Sequence, residues 1–238
     1  MVLILSGDLL AQQNPIGVVC LENIGEAERT ELTSSLQKIT GWSDLQFRRD
    51  GLLRRGNQKP VGGSVRAREL LTQAVSGTNT IVLEDASRHS EVVFSRVMPS
   101  KWKYETPNSP RAFVIQIDFA DFHHVTGDRM ALQAFDVGWV VLHELDHIVN
   151  DSFDADYSGE TGECEDHINQ MRRECDLPER ADYFYSLLPL APDSTFITRF
   201  VRLAFDQESA GIRKRYWLLW DARLVGGLDE QKQIASLK

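Results

Sequence analysis

The chain has 238 residues, 42% of them hydrophobic and 26% charged, a composition expected of one large soluble domain that buries its core without staples. Its formal net charge of -9 disfavours a nucleic-acid partner: one basic group (Arg48, Arg49, Arg54, Arg55) is diluted by acids, and the other (Arg213, Lys214, Arg215) sits in a hydrophobic alternation. Three cysteines, Cys20, Cys164 and Cys175, make no disulfide framework, and no apolar stretch is long and charge-free enough to span a membrane.

In chain order, residues 1–13 have a faint export flavour, but they lack a basic start and Asp8 interrupts the apolar run. Residues 1–15 are therefore read as a flexible or trimmed segment, with cytoplasmic and secreted locations both open. Residues 16–22 form a β-prone run. Residues 25–39 carry Leu32, Leu36 and Ile39 at helical spacing and stop at Gly41. A Gly-, Arg- and Pro-rich loop fills 48–63, and Ser64 caps a helix that ends at Ser76-Gly77. Strands are expected at 80–83 and 91–97, then a loop through Asn108-Ser109-Pro110. The strongest strand signal is 112–119, where β-branched and aromatic residues dominate. Residues 130–149 read as one long helix behind an Asp128 cap, closed by Asn150. Another helix covers about 163–175, with Pro178 beyond it. Residues 195–205 and 213–225 read as two strands around a turn containing Gly211. This irregular mixture of strands and helices implies an α+β fold, a single domain over 1–238, with a mixed sheet and a C-terminal β-hairpin.

The chemistry concentrates on the long helix. Apolar residues cover most of its circumference, from Leu132 to Val149, so it should be buried. Into that rod the sequence sets His143, Glu144, Asp146 and His147, and buried charge needs compensation, which one divalent cation supplies. His143 and His147 lie one turn apart on one face, roughly 6 Å along the axis, and converge on a single zinc ion. Glu144, rotated by about 100°, borders the metal and is placed to act as general base on an activated water. A catalytic zinc needs a third protein ligand, and Glu163 is the choice, with Glu165, Asp166 and His167 open as alternatives. Asp166, three residues on, would then orient a ligand histidine from behind. The metzincin spacing fails, because ten residues after His143 stands Phe153 and the glycine position holds Asn150. His123 and His124 read as polar loop residues near a cleft rim rather than as a second metal site.

His143-Glu144-Leu145-Asp146-His147 followed by an acidic helix resembles the zincin superfamily of metallopeptidases, in a gluzincin-type arrangement. Residues 169–174 and 177–183 are also similar to the tail of a bacterial zincin group that includes secreted effector and toxin proteases. The likeness covers about forty residues, 143–183. It implies a zincin-like fold built on an active-site helix (about 129–150) and a ligand helix (about 163–175), one zinc ion, and hydrolysis of a peptide or protein substrate. It further implies a substrate strand laid along an edge strand, here Phe113 to Phe119, and a Tyr183 or Tyr185 that stabilises the oxyanion. Residues 142–148 are also similar to the peptide-deformylase motif, but Leu142 replaces its glutamine and Cys20 is only a remote echo of its cysteine ligand. A non-enzymatic module with a structural, four-ligand zinc is the other alternative.

Overall fold

The computed structural model describes residues 16–87, 89, 91–99, 111–188 and 198–226. The segment at 1–15, the Asn108–Pro110 loop and residues 195–197 of the expected strand lie outside them. In chain order the elements are β1 (Gly17–Cys20), α1 (Glu26–Thr40), β2 (Gln46–Phe47), β3 (Leu53–Arg54), α2 (Val65–Ser76), β4 (Thr80–Asp85), β5 (Ser95–Pro99), β6 (Ala112–Ile117), α3 (Phe119–His123) and β7 (Thr126–Gly127). They continue with α4 (Arg129–Ala134), α5 (Val137–Asn150), α6 (Gly162–Glu174), β8 (Glu179–Arg180), β9 (Ser186–Leu187), β10 (Phe200–Ser209) and β11 (Ile212–Asp221). The fold is α+β. Among the described residues no helix is long and apolar enough to cross a membrane.

One sheet is mixed, in the order β1-β4-β6-β5, with β1, β4 and β6 parallel and β5 antiparallel. The strand carrying Phe113 is therefore interior, and the expectation that it forms the edge is corrected: the edge beside the site is β5. Strand order is a long-range property, and the hydrophobic density that makes 112–117 a strong strand also suits an interior one. The second sheet is antiparallel and centred on the β10–β11 hairpin, with β7 on one flank and β8 and β9 on the other. The 48–63 loop contains β3, which pairs with β2 because Leu53 is buried at 0% exposure.

The two sheets define two apolar cores. The first joins the mixed sheet to α1, α2, α5 and α6; the second joins the hairpin to α4, Phe94 and Phe135. Helix α5 runs between them, with Val137, Val141, Leu142 and Leu145 in the first and Val140 against the second. Two cores on two flanks explain why its sequence is apolar nearly all round.

The expected single helix over 130–149 is two. Phe135 leaves helical geometry (φ -145°, ψ 87°) and its ring enters the second core. Asp136 then caps α5, accepting the N–H groups of Gly138 (3.0 Å) and Trp139 (3.3 Å) and the Ser35 hydroxyl (2.5 Å). Glycine is required at 138, since a Cβ there would lie 2.1 Å from Ser35 Oγ, where α5 presses on α1. Residues 91–94, expected to be strand, instead form a turn in which Phe94 holds a φ of 61° before β5 begins at Ser95.

Candidate metal centre

His143 and His147 project from one face of α5, with ring centroids 4.8 Å apart, planes at 88° and Nε2 atoms 3.2 Å apart. The helix ends at Asn150, and Asp151 takes a left-handed conformation (φ 54°) that turns the chain back under the motif. That turn brings the Ser152 carbonyl to His147 Nδ1 at 2.8 Å and places Asp154 Oδ1 at 3.0 Å from His143 Nε2 and 3.4 Å from His147 Nε2. The Asp154 backbone bridges Gly162 at the start of α6, and the Tyr183 hydroxyl donates to its other oxygen, Oδ2, at 2.8 Å. Gly162 has a φ of 79°, and a Cβ there would sit 2.3 Å from the Ala155 nitrogen, so the bridge needs glycine.

These three atoms fit a cation. A carbonyl only accepts, so His147 Nδ1 carries the proton and Nε2 presents a lone pair when the ring is neutral. His143 Nδ1 faces the Glu165 carboxylate at 3.3 Å and the Cys164 sulfur at 3.4 Å, which also leaves its Nε2 toward the cluster. Asp154 Oδ1 is buried and, without an aligned hydrogen bond, is held by its ion pairs with the two Nε2 atoms. A tetrahedral zinc with bonds of about 2.0–2.1 Å spaces its ligand atoms by roughly 3.3 Å. The three observed separations bracket that value. Positive charge is demanded here: burial opposes a charge on His147, yet Asp154 and Cys164 beside it and the Ser152 carbonyl lift its pKa to about 11. His143 is also raised against its burial, by Asp154, Cys164 and Glu165. Burial would raise the Asp154 pKa, but the two histidines and Tyr183 hold it well below the usual carboxylate range.

A second layer supports the first. Glu165 is 1% exposed and remains ionised against its burial because Arg172 and Arg180 flank it. Arg172 Nη1 donates to it in a close ion pair, and Arg180 Nη1 donates at 3.1 Å. Asn169 ties the layer together: its Oδ1 accepts from Arg172 Nη1 (2.9 Å) and the Arg180 backbone (2.7 Å), while its amide donates to the Arg180 carbonyl. Arg180 also donates to the carbonyls of Asp182 and Tyr183. The Tyr183 ring stacks on His143, with centroids 6.1 Å apart and planes 21° apart. Asn169, Arg172, Arg180 and Tyr183 thus hold His143 and Asp154 in place.

Glu144 lies on the adjoining face, 7% exposed, with the Ser95 hydroxyl donating to Oε1 at 2.6 Å. Ser95 opens the edge strand, and the left-handed Phe94 before it is clamped by its N–H to Asp121 Oδ2 (2.9 Å) and by its carbonyl from the Asp118 N–H (2.8 Å). Both His143 and Glu144 line a cleft of about 420 Å³.

The sequence-expected residues divide. His143 and His147 come together, and Glu144 lines the same cleft as His143. Glu163 is exposed and is not among the converging donors; the carboxylate found there is Asp154. Asp166 is also exposed, accepting from Thr161 Oγ1, and the acid facing a histidine from behind is Glu165. His167 donates to Asp146 at 2.9 Å. Tyr185 packs on Trp220 beside the cleft. His123 and His124 are exposed at the end of α3, His123 lying 3.6 Å from Glu31. Cys20 is buried in β1. Among the described residues the metal-competent group is His143, His147, Asp154 and Cys164. Asp154 had one usable signal, a carboxylate one position past Phe153, where the metzincin spacing expects a ligand; Ser95 had none. No protein-family model matches the chain, and neither a curated protein nor a solved structure is significantly similar to it.

Proposed function

We propose that the protein is a zinc-dependent hydrolase acting on peptide bonds, with His143, His147 and Asp154 as metal ligands and Glu144 as general base and acid. The observation that carries this reading is the buried Asp154 Oδ1, without an aligned hydrogen bond, facing two imidazole nitrogens at ligand–ligand spacing. When bound, zinc supplies a Lewis acid and brings the pKa of water to about 7. The protein's own groups do the rest. Glu165 and the Ser152 carbonyl fix the ring orientations of His143 and His147. Glu144, held by Ser95, takes a proton from water in the cleft and returns it to the departing amine as the C–N bond breaks and the new C–O bond forms. Tyr183 commits its hydroxyl to Asp154, which makes it a positioning residue for that carboxylate rather than an oxyanion donor.

The test is Glu144→Gln. It keeps the bound zinc and lowers peptide hydrolysis by about 10²–10⁴-fold. Full activity in this variant sinks the assignment of Glu144, and hydrolysis by the wild type that survives complete chelation sinks the metal reading.

Cys164 supports a second reading, a structural zinc closed by four protein ligands, since it belongs to the same donor group. Its sulfur donates to the His143 carbonyl at 3.3 Å and contacts Nδ1 of that ring at 3.4 Å, and a thiol engaged in this way favours the open site.

A further inference from the structure

We infer that the substrate side chain flanking the scissile bond is a large apolar one, aromatic above all, received by a pocket between α5 and the C-terminal hairpin. The inference rests on the hydrolase reading. The same cleft that exposes His143 and Glu144 continues over Phe94, Phe135, Val140, Tyr185, Leu203 and Trp220. These residues belong to or pack on the second core, so the cleft is an opening into apolar packing beside the proposed general base. Val140 precedes Glu144 by four residues, one helical turn, which places both on the same side of α5. The rings already meet edge to face, Phe94 with Phe135 (4.9 Å, 87°) and Phe94 with Trp220 (5.5 Å, 90°), and they present edges and faces to a further ring.

The charged members of the lining do not call for a charged guest. Glu165 is satisfied by Arg172 and Arg180, which also donate to Asn169 and to the carbonyls of Ala134, Asp182 and Tyr183. A volume of about 420 Å³ admits one large side chain together with the backbone that carries it.

The experiment profiles a peptide library with zinc-loaded wild type and Val140→Phe. Wild type favours Phe, Tyr or Trp over Ala, Asp and Lys at one position next to the cleaved bond by at least about tenfold in kcat/KM. Val140→Phe fills the pocket and reverses that preference toward Ala. Cleavage without an aromatic preference, or a variant that slows all peptides equally, overturns the inference and leaves the hydrolase reading intact. Absence of any metal-dependent cleavage rejects the hydrolase reading instead. A readout free of turnover decides the pocket in either case: ligand-observed NMR of N-acetyl-phenylalanine amide and N-acetyl-alanine amide. The first binds wild type and the second does not; equal binding of the two overturns the inference. Should Val140→Phe fail to fold, Val140→Ala widens the pocket and raises the preference for Trp over Phe severalfold, and an unchanged ratio counts against it.

Discussion

Two carboxylates, Asp146 within the histidine motif and Asp154 just beyond it, are solvated by the protein in opposite ways. Asp146 is wholly buried and fully satisfied: Oδ1 accepts from the Asn150 amide at 2.6 Å, and Oδ2 accepts from the Ser152 hydroxyl at 2.6 Å and His167 at 2.9 Å. Asp154 accepts one hydrogen bond on Oδ2, from Tyr183, while its buried Oδ1 has only ion pairs with the two histidines. The close neighbours of that oxygen are the two imidazole nitrogens, at 3.0 and 3.4 Å, a spacing that suits a shared cation. Asp146 is a structural node; Asp154 faces the two imidazole nitrogens. The two are also linked, because the Ser152 that donates to Asp146 offers its carbonyl to His147.

The comparison breaks most visibly on metal affinity. Asp154→Ala removes a ligand and should weaken zinc binding by more than about a hundredfold, beyond the 10–100-fold typical of outer-shell partners. Competition with a chelating dye measures it; an affinity within threefold of wild type would falsify the role given to Asp154. Asp146→Ala should act chiefly on folding. It strands the buried Ser152 hydroxyl and weakens the hold on Asn150 and His167, and costs about 2–4 kcal/mol in urea unfolding whether or not metal is present. Its zinc affinity falls by about tenfold at most, through the loosened Ser152. A stability loss seen only with zinc would reverse the two roles.

A smaller effect concerns pH. In the metal-free protein the folded-state pKa of His147 is raised from 6.5 to about 11. The folded state therefore holds more protons than the unfolded one between these values, and stability falls as pH rises through that window. The stabilisation is fully present below about 6.5. Bound zinc replaces the proton, so the slope should flatten in the loaded protein. Urea midpoints at pH 6.5, 8 and 9.5, with and without zinc, check this. Parallel pH dependences in the two forms would show that metal does not take the proton's place.

Much of the fold was legible because it is written locally. The Leu32–Leu36–Ile39 stripe, the Ser64 cap and the Gly211 turn are short-range signals, and the helices α1 and α2 and the hairpin lie where those signals put them. The break at Phe135–Asp136 was hidden because the apolar pattern runs through it, and only the cap on Gly138 and Trp139 reveals it. His143, Glu144 and His147 were readable from helical spacing. Asp154 was not, since its place depends on a left-handed turn at Asp151 and falls one residue beyond the metzincin spacing. Ser95 reaches Glu144 across 49 positions through strand order, which periodicity does not encode.

X-ray absorption at the zinc edge tests the central claim most directly. The account predicts a shell of nitrogen and oxygen at about 2.0–2.1 Å, with two imidazoles and no sulfur. A sulfur contribution near 2.3 Å would place Cys164 on the metal and contradict it.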